Sequence, residues 1–335
     1  MSELRRDLLT GNWVIIAPER DWRPHNARSP RNRTASAPSF DPACPFCPGN
    51  ESSLPSIVAE MASAERPGWR TRAVANKFPA VSQHAPHCES EGFYEAAAAR
   101  GHHEVIIESP LHNREITAMS TSELRDVLVT CRDRHNALIA EKDVQCAFIF
   151  RNRGALGGAS LEHPHSQIIS LEMIPPLVRE IEAAMARYYR KEKRCVLCNI
   201  IAYEQSAGSR IVGENGAFVT AVPFSANVPC EMWLLPKRHQ ASFGEIQDEG
   251  IKLLAAALRD ALIRLAAALN DPPYNYMIDT AAKGGTGAPH LHWRLRIVPQ
   301  LPFSGGFELA SHLPINTHLP EQDAAILHSI SVEDI

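Results

Sequence analysis

The run Glu162-His163-Pro164-His165-Ser166-Gln167 sets two imidazoles and a carboxamide at alternate positions. Ile168 and Ile169 follow, so the run is predicted to enter a strand, where alternate side chains share a face. His163, His165 and Gln167 then point the same way. Pro164 has no N–H to give to a ladder, which puts it near a strand end or on an edge. Just upstream, Gly154-Ala155-Leu156-Gly157-Gly158-Ala159-Ser160 is a loop whose backbone amides can approach an anion closely. Imidazole, amide and glycine loop together suit phosphate chemistry. The same histidine pair also suits a structural zinc site, and these six residues do not choose between the two.

Cysteine is the second chemical signal. Cys44-Pro45-Phe46-Cys47 and Cys195-Val196-Leu197-Cys198 are two Cys-x-x-Cys knuckles, each a pair of thiols across a tight turn with a bite matched to zinc. Each needs two further ligands, and histidines lie downstream of both. The other four of the eight cysteines, Cys88, Cys131, Cys146 and Cys230, are scattered. No apolar run is long enough to span a membrane, and the start Met1-Ser2-Glu3-Leu4-Arg5-Arg6 lacks a signal-peptide core. A cytoplasmic location is expected, and a reducing compartment favours metal over disulfides. The net charge of -4 implies no general affinity for polyanions, and there is no basic, aromatic stripe for nucleic acid.

The elements that position these residues occur twice along the 335-residue chain. In the first series, a strand from Glu104 to Glu108 leads to His112. The capping box Ser120-Thr121-Ser122-Glu123 opens a helix carrying Leu124, Leu128, Cys131, His135 and Leu138. A buried strand from Cys146 to Phe150 then reaches the glycine loop. In the second series, a strand Glu231 to Leu235 leads to His239. A second capping box, Ser242-Phe243-Gly244-Glu245, is expected to open a long helix ending near Asn270. A strand from Tyr274 to Ile278, a glycine loop Gly284-Gly285-Thr286-Gly287 and a strand from Leu291 to Val298 with His290 and His292 complete it. His112 and His239 are 127 residues apart, as are His163 and His290, whereas the knuckles are offset by 151. By the 127 offset Arg294 stands where the first series has Gln167. The order predicts an α+β protein of two similar halves with mainly antiparallel sheets, joined near Pro175-Pro176.

The histidine run resembles the histidine-triad superfamily and, within it, the galactose-1-phosphate uridylyltransferase family. That branch has glutamine, here Gln167, where triad hydrolases carry a third histidine. Ser166, where the uridylyltransferases usually have glycine, looks like the ADP-sugar phosphorylase-like members. So do the segment from Leu269 to Met277 and the ending around Ile315-Asn316. The resemblance covers nearly the whole chain and implies a duplicated histidine-triad fold, with residues 1–176 as one half and 177–335 as the other. It implies two zinc ions per chain. Cys44, Cys47, His112 and His163 form a closed structural set; Cys195, Cys198 and His239 need one of His290 or His292. The internal repeat favours His290, and the resemblance favours His292, which precedes Trp293 and is the ligand we assign. The enterobacterial second site of glutamate and histidines is not expected, because Arg296 and Val298 stand at its histidine positions.

With one imidazole closing the first zinc site, His165 is the spare one and the expected nucleophile, with Gln167 stabilising phosphoryl charge. Gly158 and Ser160 belong to the phosphate-holding loop. The resemblance assigns further substrate contacts to Arg20, Arg23, Asn76, Phe78, Asn152, Phe307 and Glu308; the lysine that precedes the Phe307 segment in uridylyltransferases is not evident, Pro302 lying near its place. The implied activity moves a nucleoside monophosphate from a UDP-glucose-type nucleotide sugar to a hexose 1-phosphate such as galactose 1-phosphate, through a nucleotidyl-histidine. The alternative is an ADP-sugar phosphorylase with phosphate as acceptor; a nucleotide hydrolase and a zinc-knuckle nucleic-acid binder are the competing classes. The sequence leaves the oligomeric state open, with a homodimer as one candidate, and no membrane or nucleic-acid partner is expected.

Overall fold

A computed structural model describes residues 2–22, 38–63, 68–301 and 305–332. Its strands, in chain order, are β1 (Glu3–Arg6), β2 (Trp13–Ile16), β3 (Ile57–Ala62), β4 (Trp69–Ala75), β5 (Gly101–Ile107), β6 (Cys146–Arg153) and β7 (His165–Leu171), then β8 (Ile211–Glu214), β9 (Phe218–Ala221), β10 (Met232–Pro236), β11 (Tyr274–Asp279), β12 (Arg294–Pro299) and β13 (Ile315–Asn316). Its helices are α1 (Thr121–Ala140), α2 (Pro176–Glu192), α3 (Val196–Ala207), α4 (Asp248–Leu269), α5 (Gly306–Ser311) and α6 (Pro320–Ser329). No described helix is long and apolar enough to cross a membrane.

Ten strands form one sheet in the order β3-β4-β5-β7-β6-β11-β12-β10-β9-β8. Every neighbouring pair in it is antiparallel. From the centre outward the order reads β6, β7, β5, β4, β3 on one side and β11, β12, β10, β9, β8 on the other, so the two series mirror one another across the β6–β11 joint. The joint is a five-rung ladder from Ile149↔Ile278 to Arg153↔Tyr274. A second sheet, β1-β2-β13, ties the two ends of the described chain together, with β13 parallel to β2.

Alternation divides the large sheet into two faces. One face buries Ile106, Ile149, Ile168, Tyr276, Leu295 and Ile297 against α1 and α4, whose Leu124, Val127, Leu128, Leu254, Leu258 and Leu262 are almost fully buried. The other face turns Val74, Val105 and Ile107 toward the first knuckle, with Cys44, Phe46 and Cys47. Trp233, Leu235, Val219 and Ala221 turn likewise toward the second, with Cys195 and Leu197. α1 and α4 thus supply the core on one side, while the other is covered by the first knuckle in one half and by α2, α3 and the second knuckle in the other.

Several element boundaries differ from expectation. The Ser120 capping box does open α1. The Ser242 box instead caps a short 3-10 turn, Phe243–Glu245, and α4 begins later, at Asp248, after Gln247. Ser242 accepts from Gly244 N–H and Glu245 from Ser242 N–H, so the box satisfies donors of the turn rather than of the helix. β7 starts at His165, and β12 at Arg294, so the metal-side histidine of each half precedes its strand. β5 starts earlier, at Gly101, which brings His102 and His103 into the ladder. β6 extends to Arg153, so Asn152 belongs to the strand.

Candidate active site and metal centres

β7 is held on both sides, by β5 (Val105↔Gln167, Ile107↔His165) and by β6 (Phe150↔Gln167, Arg151↔Ser166). Its alternation separates His165 and Gln167 from Ser166. Ser166 is fully buried on the helix side, where its hydroxyl donates to Glu108 Oε1 at 2.6 Å and meets the Tyr276 hydroxyl at 2.7 Å. Arg151 Nε donates to the same carboxylate at 3.0 Å, its Nη2 to Glu115 at 2.9 Å and its Nη1 to the Tyr274 hydroxyl at 3.0 Å. This network lies directly beneath the histidine strand.

His163 and His165 are both buried. His163 Nε2 donates to the Ser109 carbonyl at 2.7 Å, because a carbonyl can only accept. Its Nδ1 is therefore the bare nitrogen, and it lies 3.6 and 3.7 Å from the Cys44 and Cys47 sulfurs. His112 Nδ1 lies 3.5 Å from Cys47 Sγ. The same logic reverses the next ring. His165 Nδ1 donates to the His163 carbonyl at 2.8 Å, which leaves the lone pair on Nε2. Burial pushes the His165 pKa below that of an ordinary histidine, and that of His163 down to about 4, so both rings are held neutral.

His165 lines a cleft of about 370 Å³ whose walls include Asn152, Ser160 and Glu162 from the first half and Asp271 and Pro273 from the second. The glycine loop is pinned from across the β6–β11 joint. Asn275 Nδ2 donates to the Gly157 carbonyl at 2.7 Å and to Asn152 Oδ1 at 2.8 Å. A Cβ on Gly157 would stand 3.0 Å from the Tyr274 carbonyl, and Gly158 has φ +84°, a left-handed conformation that glycine takes freely.

The expected site residues fall into three groups. Asn152, Ser160 and His165 line the cleft, with Gly158 in the loop behind it. Asn76 and Gln167 meet around His103, while Phe78 is strongly exposed. Arg20, in a 3-10 turn after β2, and Phe307 and Glu308, on α5, are absent from the cleft lining; Glu308 caps its own helix by accepting from Gly305 N–H. Arg23 and Pro302 lie outside the described residues. Glu108, Arg151, His103 and Asn275 were not singled out from sequence. Alternation along β5 put His103 on the Val105 and Ile107 face, but only the pairing with β7 shows which amide it meets.

Two Cys2His2 groups could each hold a metal ion: Cys44, Cys47, His112 and His163, and Cys195, Cys198, His239 and His292. In each set the four ligand atoms lie within 4.8 Å of one another. In the second set His292 Nδ1 faces the Cys195 and Cys198 sulfurs at 3.7 and 3.5 Å, and its Nε2 donates to the Pro236 carbonyl at 3.0 Å. His290 instead packs beside the Tyr189 ring. Ring nitrogens and thiols converge in both sets, with outer carbonyls fixing the tautomers of His163, His239 and His292, and this donor chemistry fits zinc. Burial without a cation pushes the Cys44 thiol up to about 11, a tendency that a divalent ion would reverse.

Matching His163 with His292 makes the offset of the histidine strands 129 rather than 127. Arg294 then answers to His165 and Arg296 to Gln167, which corrects the placement of Arg294 opposite Gln167. One row crosses the joint as Gln167, Phe150, Met277, Arg296 and Trp233. Arg294 and Arg296 both pair with Asp279, at 2.9 and 2.7 Å. The second half therefore holds an ion cluster where the first presents imidazole and amide.

An antiparallel α+β sheet doubled about a central joint, with a histidine-strand cleft in one half, defines a histidine-triad type of protein. A sequence model of the galactose-1-phosphate uridyl transferase N-terminal domain matches residues 1–175. An ADP-glucose phosphorylase of Arabidopsis thaliana is 33% identical over 98% of this chain and 93% of its own. A galactose-1-phosphate uridylyltransferase of Haemophilus influenzae is 29% identical over 87% of this chain and 81% of its own. The crystal structure of an Arabidopsis thaliana ADP-glucose phosphorylase with bound ADP-glucose superposes with a TM-score of 0.85 at 31% identity, covering 99% of each chain. The chain belongs to the galactose-1-phosphate uridylyltransferase family.

Proposed function

We propose that the protein transfers a nucleoside monophosphate from a nucleotide sugar to a phosphate-bearing acceptor through a covalent bond to His165. The observation that carries this reading is the His165 tautomer: Nδ1 is committed to the His163 carbonyl, and the Nε2 lone pair belongs to a buried ring lining the cleft. In the first step Nε2 attacks the α-phosphorus, an N–P bond forms, and the sugar 1-phosphate leaves with the electrons of the broken P–O bond. In the second, an acceptor phosphate oxygen attacks the same phosphorus and the ring departs neutral. Ser160 and the loop amides hold phosphate oxygens, and Gln167 donates its amide as charge shifts between them. No group at position 167 can act as general acid or base, which suits transfer over hydrolysis.

Zinc bound to the first Cys2His2 set would supply a closed tetrahedral cross-link. Its ligand His163 is the residue whose carbonyl orients His165, so that set acts on chemistry only through position. Of the two donor and acceptor pairs, ADP-sugar with inorganic phosphate has the stronger support. Ser166 is tied into the Glu108 and Tyr276 network, a place for a hydroxyl and not for the glycine usual in uridylyltransferases. The ADP-glucose phosphorylase relative also matches more of the chain at higher identity. UDP-glucose with galactose 1-phosphate is the second reading. The test is to incubate the protein without acceptor in ADP-glucose or UDP-glucose labelled at the α-phosphorus, then add phosphate or galactose 1-phosphate. Adenylyl label discharged by phosphate as ADP is expected. Uridylyl label discharged by galactose 1-phosphate would select the second reading, and turnover with no protein-bound label would end the covalent one.

A further inference from the structure

We propose that His103 is a positioning residue that fixes which end of the Gln167 amide faces the substrate; this rests on Gln167 contacting the phosphoryl group, as proposed above. His103 lies on β5, two residues before Val105, which pairs with Gln167, and on the same face. Its ring has three polar neighbours. The Ala80 backbone N–H donates to Nδ1 at 3.1 Å. A backbone N–H can only donate, so Nδ1 carries the lone pair and the single ring proton is on Nε2. Nε2 lies 2.8 Å from Gln167 Oε1, the acceptor that proton requires.

The consequence runs outward from the ring. With its carbonyl held by Nε2–H, the Gln167 side chain can present only its NH2 end elsewhere. A flipped amide would set N–H against N–H at His103 and a carbonyl oxygen against the phosphoryl oxygens, two repulsions in place of two bonds. Asn76 follows the same rule. Its Oδ1 accepts from Phe78 N–H at 2.9 Å, and its Nδ2 lies 3.1 Å from His103 Nε2, a donor that it cannot bond. One ring, polarised by one backbone N–H, holds the Gln167 amide as a donor beside the histidine strand. An apolar or reversed residue at this position would leave the Gln167 amide free to rotate.

A double-mutant cycle on protein nucleotidylation, measured by rapid quench, tests this. His103→Ala should slow the first step at least tenfold while changing the dissociation constant of the nucleotide sugar less than threefold. In a Gln167→Ala background the same substitution should change the rate less than twofold. His103→Gln, which restores an N–H donor, should recover most of the rate. If Gln167→Ala itself leaves nucleotidylation unchanged, the assigned role of Gln167 fails and takes this proposal with it. If Gln167→Ala is slow but His103→Ala matches wild type, or costs the same factor in both backgrounds, only the His103 proposal is overturned. Histidine-labelled nitrogen NMR of the unaltered protein gives a check independent of any variant. A proton on His103 Nε2 is expected, and a proton on Nδ1 overturns the proposal.

Discussion

At the scale of single residues, the tautomers of His103, His163, His165 and His292 follow from the one backbone carbonyl or amide that each ring faces. His165→Gly removes the proposed nucleophile but none of the metal-facing atoms. The variant should fold, keep its metal and bind nucleotide sugar, yet form no protein-bound nucleotide; free imidazole in the vacated space should restore part of the transfer. Quench of α-phosphorus-labelled substrate checks this, and label persisting on the variant would refute it. His135 supports a separate prediction. It is buried beside Phe243, and burial pushes its pKa below the ordinary 6.5. Because the unfolded chain then binds the proton more readily than the native one, stability should be full above about pH 6.5 and fall as pH drops toward the native value. Denaturant unfolding at pH 7.5 and 5.5 should show a smaller difference for His135→Leu than for wild type; an equal difference would rule the residue out. The alternating His163, His165 and Gln167 and seven of the eight metal-facing residues were legible as types at fixed spacing; the eighth, His292, came from the resemblance, because the internal repeat favoured His290. His103, Glu108, Arg151 and Asn275 were not, because their partners are set by pairings across strands 43 to 123 residues apart in sequence.

Among the elements, β7 presents His165 and Gln167 on one face and is held by a buried ion network on the other. Arg151 and Glu108 side chains are 2% and 0% exposed, so removing one partner strands a charge in the interior. Arg151→Ala should cost about 3–5 kcal/mol of stability, read from urea unfolding. A loss under about 1 kcal/mol would mean that water or Glu115 replaces the pair. The alternation that put His165 and Gln167 on one face was readable in advance, as was the cap of α1. The cap of α4 was not. Its Ser-x-x-Glu pattern is real, but the turn that it closes ends at Glu245, and local hydrogen bonds alone do not tell a helix from a single 3-10 turn. α2 and α3 also went unread, since the pull of the knuckle at Cys195 hid the helix that begins at Val196.

Taken whole, the molecule treats its two metal groups differently. The ligands of the first are all buried, while Cys198 is half-buried and His239 exposed in the second. Metal analysis should find two zinc ions per chain, and a chelator should remove one much faster than the other. Cys195→Ser should retain one zinc, lower the Tm by several degrees and leave kcat within about threefold at temperatures well below unfolding, because that half has arginines where the first has its imidazole and amide. A loss of covalent labelling in Cys195→Ser would contradict this separation. The doubling itself was legible from the order of the motifs, though the histidine strands are offset by 129 and not by the 127 that separates His112 from His239; the joint was not, as no residue pattern announces that β6 will lie beside β11.

The β6–β11 ladder also bears on how such a chain can vary. Two separate copies meeting along that ladder would form a twofold-symmetric pair, in which any substitution appears in both clefts at once. Joining the copies in one polypeptide ends that obligation. The half that carries His292 is then free to hold Arg294, Arg296 and Asp279 where its twin has His165 and Gln167, while Asp271 walls the cleft and Asn275 braces the glycine loop. Covalent linkage here converts symmetry from a constraint into a division of labour, with one half free to specialise as wall and brace for the other.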